Sequence, residues 1–161
     1  VLFLTAEPAL ANAWLKEKGQ GEVISSTIVN RQRSGLAGGA AAQGYSGLHV
    51  EYGAFAKATL IADNMAGFLF YQGAVKEAHI GYSLKDQNGC LAAIGSLILA
   101  ILCKKHNVPL YAHQGPMMKK FLGSSKDILE FNKQRVAAAG IKAFVPLVEW
   151  VPEEYITKIY E

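Results

Sequence analysis

Short apolar runs alternate with stretches of helical pattern along most of this 161-residue chain. The longest helical pattern, CLAAIGSLILAILCKKHN (90–107), predicts a buried helix. Strands that alternate with helices at this spacing predict an α/β fold, in which helices cover both faces of a mostly parallel sheet. Five runs have the length and composition of buried strands: VLFLT (1–5), EVISSTIV (22–29), KATLIA (57–62), AHIGY (78–82) and VPLYAH (108–113).

The remaining segments carry turn signals and weaker patterns. The DQNG sequence (86–89) predicts a tight turn, because Asn-Gly favours the backbone of a hairpin. Pro152 is placed in a first helical turn near the end of the chain. The segment 143–150 is predicted to be extended, and further helices are predicted for 7–19, 35–53, 64–73 and 124–140.

Composition and charge narrow the class of protein. Hydrophobic residues make up 51% of the chain and charged residues 18%, which is typical of one globular domain, taken here as residues 1–161. The 16 basic and 13 acidic residues leave a net charge of +3. The basic residues are scattered, whereas a nucleic-acid-binding face concentrates them. The sequence therefore indicates no direct nucleic-acid partner.

The number of cysteines and the length of the apolar runs indicate the cellular compartment of the protein. Two cysteines, Cys90 and Cys103, make neither a disulfide framework nor a four-thiolate metal site, so we expect a reducing, cytoplasmic compartment. The longest apolar run has about 13 residues, short of the ~18 that span a bilayer. The start at Val1, without methionine or a charged leading region, is unlike a signal peptide and indicates a truncated, processed or partial chain.

Asp63 follows the third predicted strand directly and stands before a helical pattern. In open parallel sheets, ligands bind at the carboxyl ends of the strands, and an acidic side chain is also favoured at the mouth of a helix. Asp63 therefore has two interpretations, a ligand-binding residue and an N-cap of the helix. The sequence pattern alone leaves both open.

Several motifs, in this order, resemble one family: methylthioribose-1-phosphate isomerase, ribose-1,5-bisphosphate isomerase and the alpha, beta and delta subunits of eukaryotic initiation factor 2B. The motifs are TLIADNMAG (59–67), Ile80-Gly81, Asn88-Gly89, IGS (94–96), KKHNVPLY (104–111) and EWVPEEYI (149–156). The resemblance implies a three-layer Rossmann-like domain and no cofactor. It covers the family's C-terminal domain, and the family's N-terminal helical domain has no counterpart in this sequence.

The departures from the family pattern concern its chemistry. The isomerases carry a general-acid aspartate after the fourth strand, where this chain has Ser83, and a cysteine after the first strand, where it has none. The family's Asn-Lys before IGT is replaced by CLAA (90–93), with one residue fewer. The segment RQRSGLAG (31–38) keeps Arg33, and its rigid guanidinium suits a phosphate group.

The predicted catalytic residues are Asp63, Asp86 and Cys90, and the predicted substrate-binding residues are Arg33, Asp63, Asn64, Tyr82, Ser83 and His113. Cys90 is expected to open the long helix, where amide groups would lower its thiol pKa, although a cysteine is often a small buried hydrophobe. Asp86 has a second interpretation as a solvated turn residue. None of the four histidines forms an i, i+4 pair, so no metal site is expected.

Two functions remain open at this point. In the first, the chain is a diverged regulatory or scaffold subunit that keeps a pocket for a phosphorylated sugar or a nucleotide. In the second, it is an aldose–ketose isomerase of a phosphorylated pentose, with a site completed by a partner chain. Isomerisation needs an acid/base group within about 3 Å of the substrate, and Tyr82 and Ser83 supply no such group directly. Both functions imply a homo-oligomer, or a hetero-oligomer with a related chain.

Overall fold

A mostly parallel sheet forms the centre of the fold in the computed structural model, which describes residues 2–5, 22–26, 58–61, 65–115, 117–131 and 134–161. Within these residues the main sheet has eight strands, and six of them follow the order β10-β6-β4-β1-β2-β3 with every neighbouring pair parallel. The six are β1 (Leu2–Thr5), β2 (Glu22–Ser26), β3 (Ala58–Ile61), β4 (Glu77–Asp86), β6 (Leu110–Gln114) and β10 (Lys158–Tyr160). The five predicted strands are confirmed as elements of an α/β fold.

An antiparallel arm extends the sheet beyond the parallel part. Strand β4 continues past the predicted end at Tyr82, turns at residues 87–88 and returns as β5 (Gly89–Ala93). Strand β5 also pairs with β9 (Val148–Pro152), which confirms the late extended segment in part. The predicted turn at DQNG is confirmed, because Asp86 Oδ1 accepts a hydrogen bond of 2.6 Å from the amide of Asn88.

The prediction of one helix over 90–107 is wrong in its first third. Helix α2 runs from Ser96 to His106, and the residues before it belong to β5. Cys90 and Ala92 gain two strand partners, one in β4 and one in β9, and both side chains are buried. Tertiary pairing therefore overrides a local pattern that apolar content alone cannot assign to helix or strand.

Helix α1 (Ala66–Tyr71) and helix α2 pack on the same face of the sheet. They share one core cluster with β4 and β6, which includes Phe70, Ile80, Leu99 and Leu110. Gly73 takes the left-handed backbone conformation (φ 67°) just after α1, as its place at the end of the predicted helix requires.

The region after β6 differs most from its prediction. The predicted helix over 124–140 is wrong, because among the described residues of this segment only α3 (Lys126–Leu129) is helical, and a short hairpin of β7 (Glu130–Phe131) and β8 (Gln134–Arg135) follows it. After Pro152 the chain makes a single 3₁₀ turn (Glu153–Tyr155) and enters β10. Thr157 lies between this turn and β10 and ties the connection to β6, since its Oγ1 accepts a hydrogen bond of 3.1 Å from the amide of Leu110.

Two predicted helices, 7–19 and 35–53, lie outside the described residues. Of the described helices, none has the length and hydropathy needed to cross a membrane, and α2 has only 11 residues.

The close packing of Gly89 against β9 allows a test of the antiparallel arm. Its φ is 146°, and a β-carbon there would lie against the carbonyl oxygen of Val151 and 3.0 Å from the amide of Glu153. We expect Gly89→Ala to lower the free energy of unfolding by about 2–4 kcal/mol in urea denaturation. The matched control is Gly67→Ala, because Gly67 lies in α1 with nothing within 4 Å of the added carbon. The control should gain up to about 1 kcal/mol, and equal losses in both variants would contradict the packing of the arm.

Candidate functional site

The carboxyl ends of β1, β2, β3, β4 and β6 meet at one edge of the sheet, because these strands are parallel. At this edge Gly81 lies beside His113, and Tyr82 lies beside Gln114. Gly115 closes the edge locally, since its amide donates a hydrogen bond of 2.8 Å to the carbonyl of Tyr82. This is the edge at which ligands bind in open parallel sheets, so we call it the carboxyl edge.

Tyr82 and Ser83, two of the predicted ligand contacts, both use their hydroxyl protons within the chain. Tyr82 is buried, and its hydroxyl donates a hydrogen bond of 2.9 Å to the carbonyl of Tyr160. Ser83 Oγ donates to the carbonyl of Leu91 at 3.3 Å. A hydroxyl has one proton to donate. A ligand that needs a donor from either side chain must therefore break one of these bonds.

Asp86 lies away from the other described candidates. It is exposed at the end of β4, and its carboxylate is bonded to the turn at Asn88. Four residues of extended strand separate it from Tyr82, which corresponds to about 13 Å. The structure therefore supports the interpretation of Asp86 as a solvated turn residue and does not bring it to the side of His113.

The expectation that Cys90 opens the long helix with a lowered pKa is wrong. Cys90 lies in β5 between Lys85 and Val151, and its side chain is fully buried. Burial raises the pKa of the Cys90 thiol to about 11, so the thiol is protonated at neutral pH. Cys103 is a buried core residue of α2, and burial raises the pKa of its thiol to about 12.

A pair of histidines on the neighbouring strands β4 and β6 lies beside the carboxyl edge. Nδ1 of His79 and Nε2 of His113 are 2.9 Å apart. The ring centroids are 5.1 Å apart with an angle of 18° between the planes, so the rings meet edge to edge in nearly one plane. One imidazole must donate and the other accept, because the short distance leaves room for a single proton between them.

Further groups surround this pair on the same face of the sheet. Tyr160 stacks on His113 with a centroid distance of 4.9 Å and an interplanar angle of 11°. The carboxylate of Glu77 lies 3.6 Å from Nε2 of His79. Lys158 lies over the ring of Tyr160 at 4.5 Å. His113 is therefore held in place by neighbours on both β4 and β10.

The electrostatics of the pair keep His79 neutral. Burial, and then the neighbouring His113, lower the pKa of His79 to about 3. Only 7% of its surface is exposed, so water does little to stabilise a charge there. The sequence pattern did not indicate the pairing of His79 with His113. His79 lies near the start of β4 and His113 near the end of β6, and the register of the two parallel strands, in which His79 pairs with Tyr111 and Gly81 with His113, brings them together.

The N-terminus of α2 begins near the carboxyl edge and is capped by a carboxylate of this chain. The amide of Leu97 donates a hydrogen bond of 2.9 Å to Oε1 of Glu149, which comes from β9. Gly95 precedes the helix with φ 95° and offers no side-chain cap. Glu149 therefore supplies the negative charge that a helix N-terminus favours. No pattern in the sequence indicated this role of Glu149.

Three predicted residues, Arg33, Asp63 and Asn64, lie outside the described residues. Strand β3 ends at Ile61, two positions before Asp63 in the sequence. In the part of the chain that the structure describes, no group of three or more histidine, cysteine or carboxylate side chains is arranged to hold a metal ion.

A surface cavity of about 430 Å³ lies at the other end of the strands. It is lined by the C-terminal end of α2, including Lys104 and Asn107, and by residues 154–157. Lys104 donates a hydrogen bond of 3.1 Å to the carbonyl of Glu154 across it. This cavity contains none of the predicted site residues.

The fold and the carboxyl edge define an α/β domain with a mostly parallel sheet, and comparison with known proteins identifies its family. The model of the initiation factor 2 subunit family matches residues 54–160. The chain belongs to this family, and the resemblance seen in the sequence is confirmed.

Similar proteins carry two kinds of name. A methylthioribose-1-phosphate isomerase from Herpetosiphon aurantiacus is 34% identical over 113 residues, which cover 63% of this chain and 32% of the relative. The eIF-2B delta subunit from A. fulgidus matches with a TM-score of 0.73 and 16% identity over 98% of this chain and 50% of that one. The 5-methylthioribose 1-phosphate isomerase from Pyrococcus horikoshii matches with a TM-score of 0.68 and 21% sequence identity. This match covers 98% of this chain and 48% of the isomerase chain.

These comparisons establish the family and the fold. The two structural likenesses are below 25% identity, so they show the fold alone. The chain spans about a third of the length of the curated relatives that it matches.

The histidine pair generates a prediction about stability and pH. In the unfolded chain His79 binds a proton near pH 6.5, whereas in the folded chain it does so only near pH 3. The unfolded state therefore binds more protons below pH 6.5, and acid weakens the fold. Between pH 6.5 and pH 3, we expect protonation of His79 to lower the free energy of unfolding by up to about 1.4 kcal/mol for each pH unit.

Urea denaturation from pH 7.5 to 4 measures this contribution. The comparison variant is His79→Asn, which does not titrate and keeps a polar atom near the position of Nδ1. The wild-type chain should lose stability more steeply with falling pH than the variant. Parallel pH profiles for the two chains would show that His79 is not held neutral by the fold.

Proposed function

We propose that this chain is a diverged domain of the isomerase and initiation-factor branch of the family. It binds a phosphorylated sugar or a nucleotide at the carboxyl edge, works as a subunit of an assembly and does not act as a standard isomerase alone. One observation carries this proposal. Ser83 stands where the family resemblance implies a general acid, and its hydroxyl is bonded to the carbonyl of Leu91.

The burial of Cys90 supports the same conclusion. A thiol acts as a nucleophile or a base only as the thiolate, and a pKa of about 11 leaves very little thiolate at neutral pH. Asp86, the other acidic candidate of the loop, is bonded to the turn and points to solvent rather than to the edge. The described part of the edge thus lacks the carboxyl and thiol pair that the resemblance implies for isomerisation.

A cytoplasmic location belongs to the same proposal. Cys90 and Cys103 are free thiols, and a reducing compartment keeps thiols in that form.

The second candidate function is isomerisation of a phosphorylated pentose with a site that a partner chain completes. The observation in its favour is the 34% identity to a methylthioribose-1-phosphate isomerase. A partner would have to bring the missing acid/base groups to the carboxyl edge, where His113 and the region of Asp63 are the contributions expected from this chain.

A turnover experiment separates the two functions. Each missing proton-transfer group costs about 10²–10⁴-fold in rate, so the chain alone should convert methylthioribose 1-phosphate and ribose 1,5-bisphosphate at background rate. Ketose formation followed by NMR measures this. Turnover that Cys90→Ser or Asp86→Asn abolishes would overturn the proposal and assign catalysis to the β4–β5 hairpin. Turnover that requires a second chain would establish the shared site.

A binding experiment tests Asp63 as a ligand contact. If Asp63 binds the ligand through a charge-assisted hydrogen bond, Asp63→Asn should weaken binding by about tenfold or more. Its thermal stability should barely change, because asparagine caps a helix about as well as aspartate. Calorimetric titration with each sugar phosphate and with a nucleotide gives the affinity. Unchanged affinity for a ligand that the wild-type chain binds would leave Asp63 as a cap.

A further inference from the structure

The hydrogen bond between His79 and His113 has a direction, which the neighbouring groups decide. Nδ1 of His79 and Nε2 of His113 are 2.9 Å apart, and one of these two nitrogens carries the shared proton. A neutral imidazole has one protonated and one unprotonated nitrogen, so the choice also fixes the other nitrogen of each ring. The direction of this bond therefore determines whether Nδ1 of His113 donates or accepts a hydrogen bond.

The carboxylate of Glu77 fixes the proton of His79. Its Oε1 lies 3.6 Å from Nε2 of His79, and an ionised carboxylate only accepts hydrogen bonds. A lone pair on Nε2 would face this negative charge, whereas an N–H group at Nε2 directs its positive end toward it. The contact is longer than a hydrogen bond, but the side chains are only 26% (Glu77) and 9% (His79) exposed, so water screens it weakly. Glu77 therefore favours the His79 tautomer with its proton on Nε2.

The proton of His113 follows from that of His79. Burial, and then the neighbouring imidazole, lower the pKa of His79 to about 3, so the ring is neutral at pH 7. With its proton on Nε2, His79 has a lone pair on Nδ1, which accepts the short hydrogen bond from Nε2 of His113. His113 therefore carries a proton on Nε2, and its Nδ1 is the nitrogen with the lone pair.

The Nδ1 atom of His113 is turned toward the carboxyl edge. The two nitrogens of an imidazole point in divergent directions, so Nδ1 faces away from His79. Within β4, His79 precedes Gly81, the residue beside His113, and so lies on the amino-terminal side of His113. The ring of Tyr160 stacks on His113 at 4.9 Å and fixes its plane. His113 thus presents a hydrogen-bond acceptor on the side of the carboxyl edge.

We propose that Glu77 and His79 are positioning residues that hold the proton of His113 on Nε2, so that its Nδ1 accepts a hydrogen bond from a sugar hydroxyl of the ligand at the carboxyl edge. Sugar hydroxyls are donors that phosphorylated sugars and nucleotides share, whereas an ionised phosphate oxygen accepts and would face a second lone pair. The contact with the sugar rests on the proposed function. The positioning of the His113 proton does not.

Nitrogen-15 NMR of the ligand-free 161-residue chain tests the position of the proton. In a chain labelled at histidine, long-range proton–nitrogen correlations at pH 7.5 distinguish protonated from unprotonated ring nitrogens. The variants His79→Asn and His113→Gln identify the signals of the two rings. We expect Nε2 protonated and Nδ1 unprotonated in both. The wild-type spectrum decides this by itself, and a proton on Nδ1 of His113 would overturn the inference.

The variant Glu77→Gln tests the role of the carboxylate, because a glutamine amide can donate a hydrogen bond to Nε2 of His79. That arrangement moves the His79 proton to Nδ1 and reverses the shared hydrogen bond, so the nitrogen shifts of His113 should move toward the opposite tautomer. Glu154→Gln is the matched control, since Glu154 is exposed in the 3₁₀ turn and loses the same charge. Its spectrum should match the wild type. Unchanged His113 shifts in Glu77→Gln would refute the positioning role of Glu77.

Calorimetric titration tests the contact with the hydroxyl. Glu77→Gln should weaken the binding of ribose 1,5-bisphosphate about 3–10-fold, as expected for the loss of one neutral hydrogen bond. It should leave unchanged the binding of pentane-1,5-diol bisphosphate, which has both phosphates and no hydroxyl. Equal losses for the two probes would place His113 against a phosphate and overturn the hydroxyl contact. A wild-type chain that binds no sugar phosphate or nucleotide would overturn the proposed function and this contact, whereas the NMR spectrum still decides the tautomer.

Discussion

The pairing of β4 with three other strands is the interaction on which the described structure depends. Its first half pairs in parallel with β1 and β6, and its second half pairs antiparallel with β5. The face that carries Ala78, Ile80 and Tyr82 forms the core under α2, and the opposite face carries His79. A slip of one residue in β4 would exchange these faces. The core, the histidine pair and the direction of the arm therefore depend on one register.

The sequence predicted the parallel part of the fold well, because strands of covered parallel sheets have continuous apolar sequences, as in ATLI of β3 and LFLT of β1. It failed where tertiary partners decide the conformation. Residues 89–93 are as apolar as the helix that follows, and only the flanking strands β4 and β9 make them a strand. The pattern over 124–140 failed for a related reason, since Leu129 is the one buried side chain of α3 and residues 134–140 are mostly exposed.

The sequence predicted where the candidate site lies, at the carboxyl edge of the sheet, but not how its side chains are bonded. The alternation of strands and helices placed His113 and Tyr82 at the carboxyl ends, and the structure puts both there. The sequence could not reveal hydrogen bonds between residues far apart in the chain, such as Tyr82 to Tyr160, His79 to His113 or Leu97 to Glu149. Those bonds change the chemistry expected of the carboxyl edge. The Tyr82 hydroxyl already donates its proton within the chain, the buried His79 imidazole stays neutral, and Glu149 caps the N-terminus of α2.

The arm formed by β4, β5 and β9 restricts which insertions and deletions such a domain can accept during evolution. Its β4–β5 hairpin lies between the parallel part of β4 and the start of α2, so the hairpin can vary in length while the sheet and the helix stay in place. Side chains of a strand alternate between the two faces of the sheet. If two residues are gained or lost in each strand of the hairpin, Cys90 and Val151 therefore stay on the buried face. An odd change needs a bulge, and the register of this hairpin already shifts between Tyr82 and Leu84. Insertions and deletions in this part of the chain should therefore accumulate in steps of two, with that bulge as the place where a single residue is absorbed.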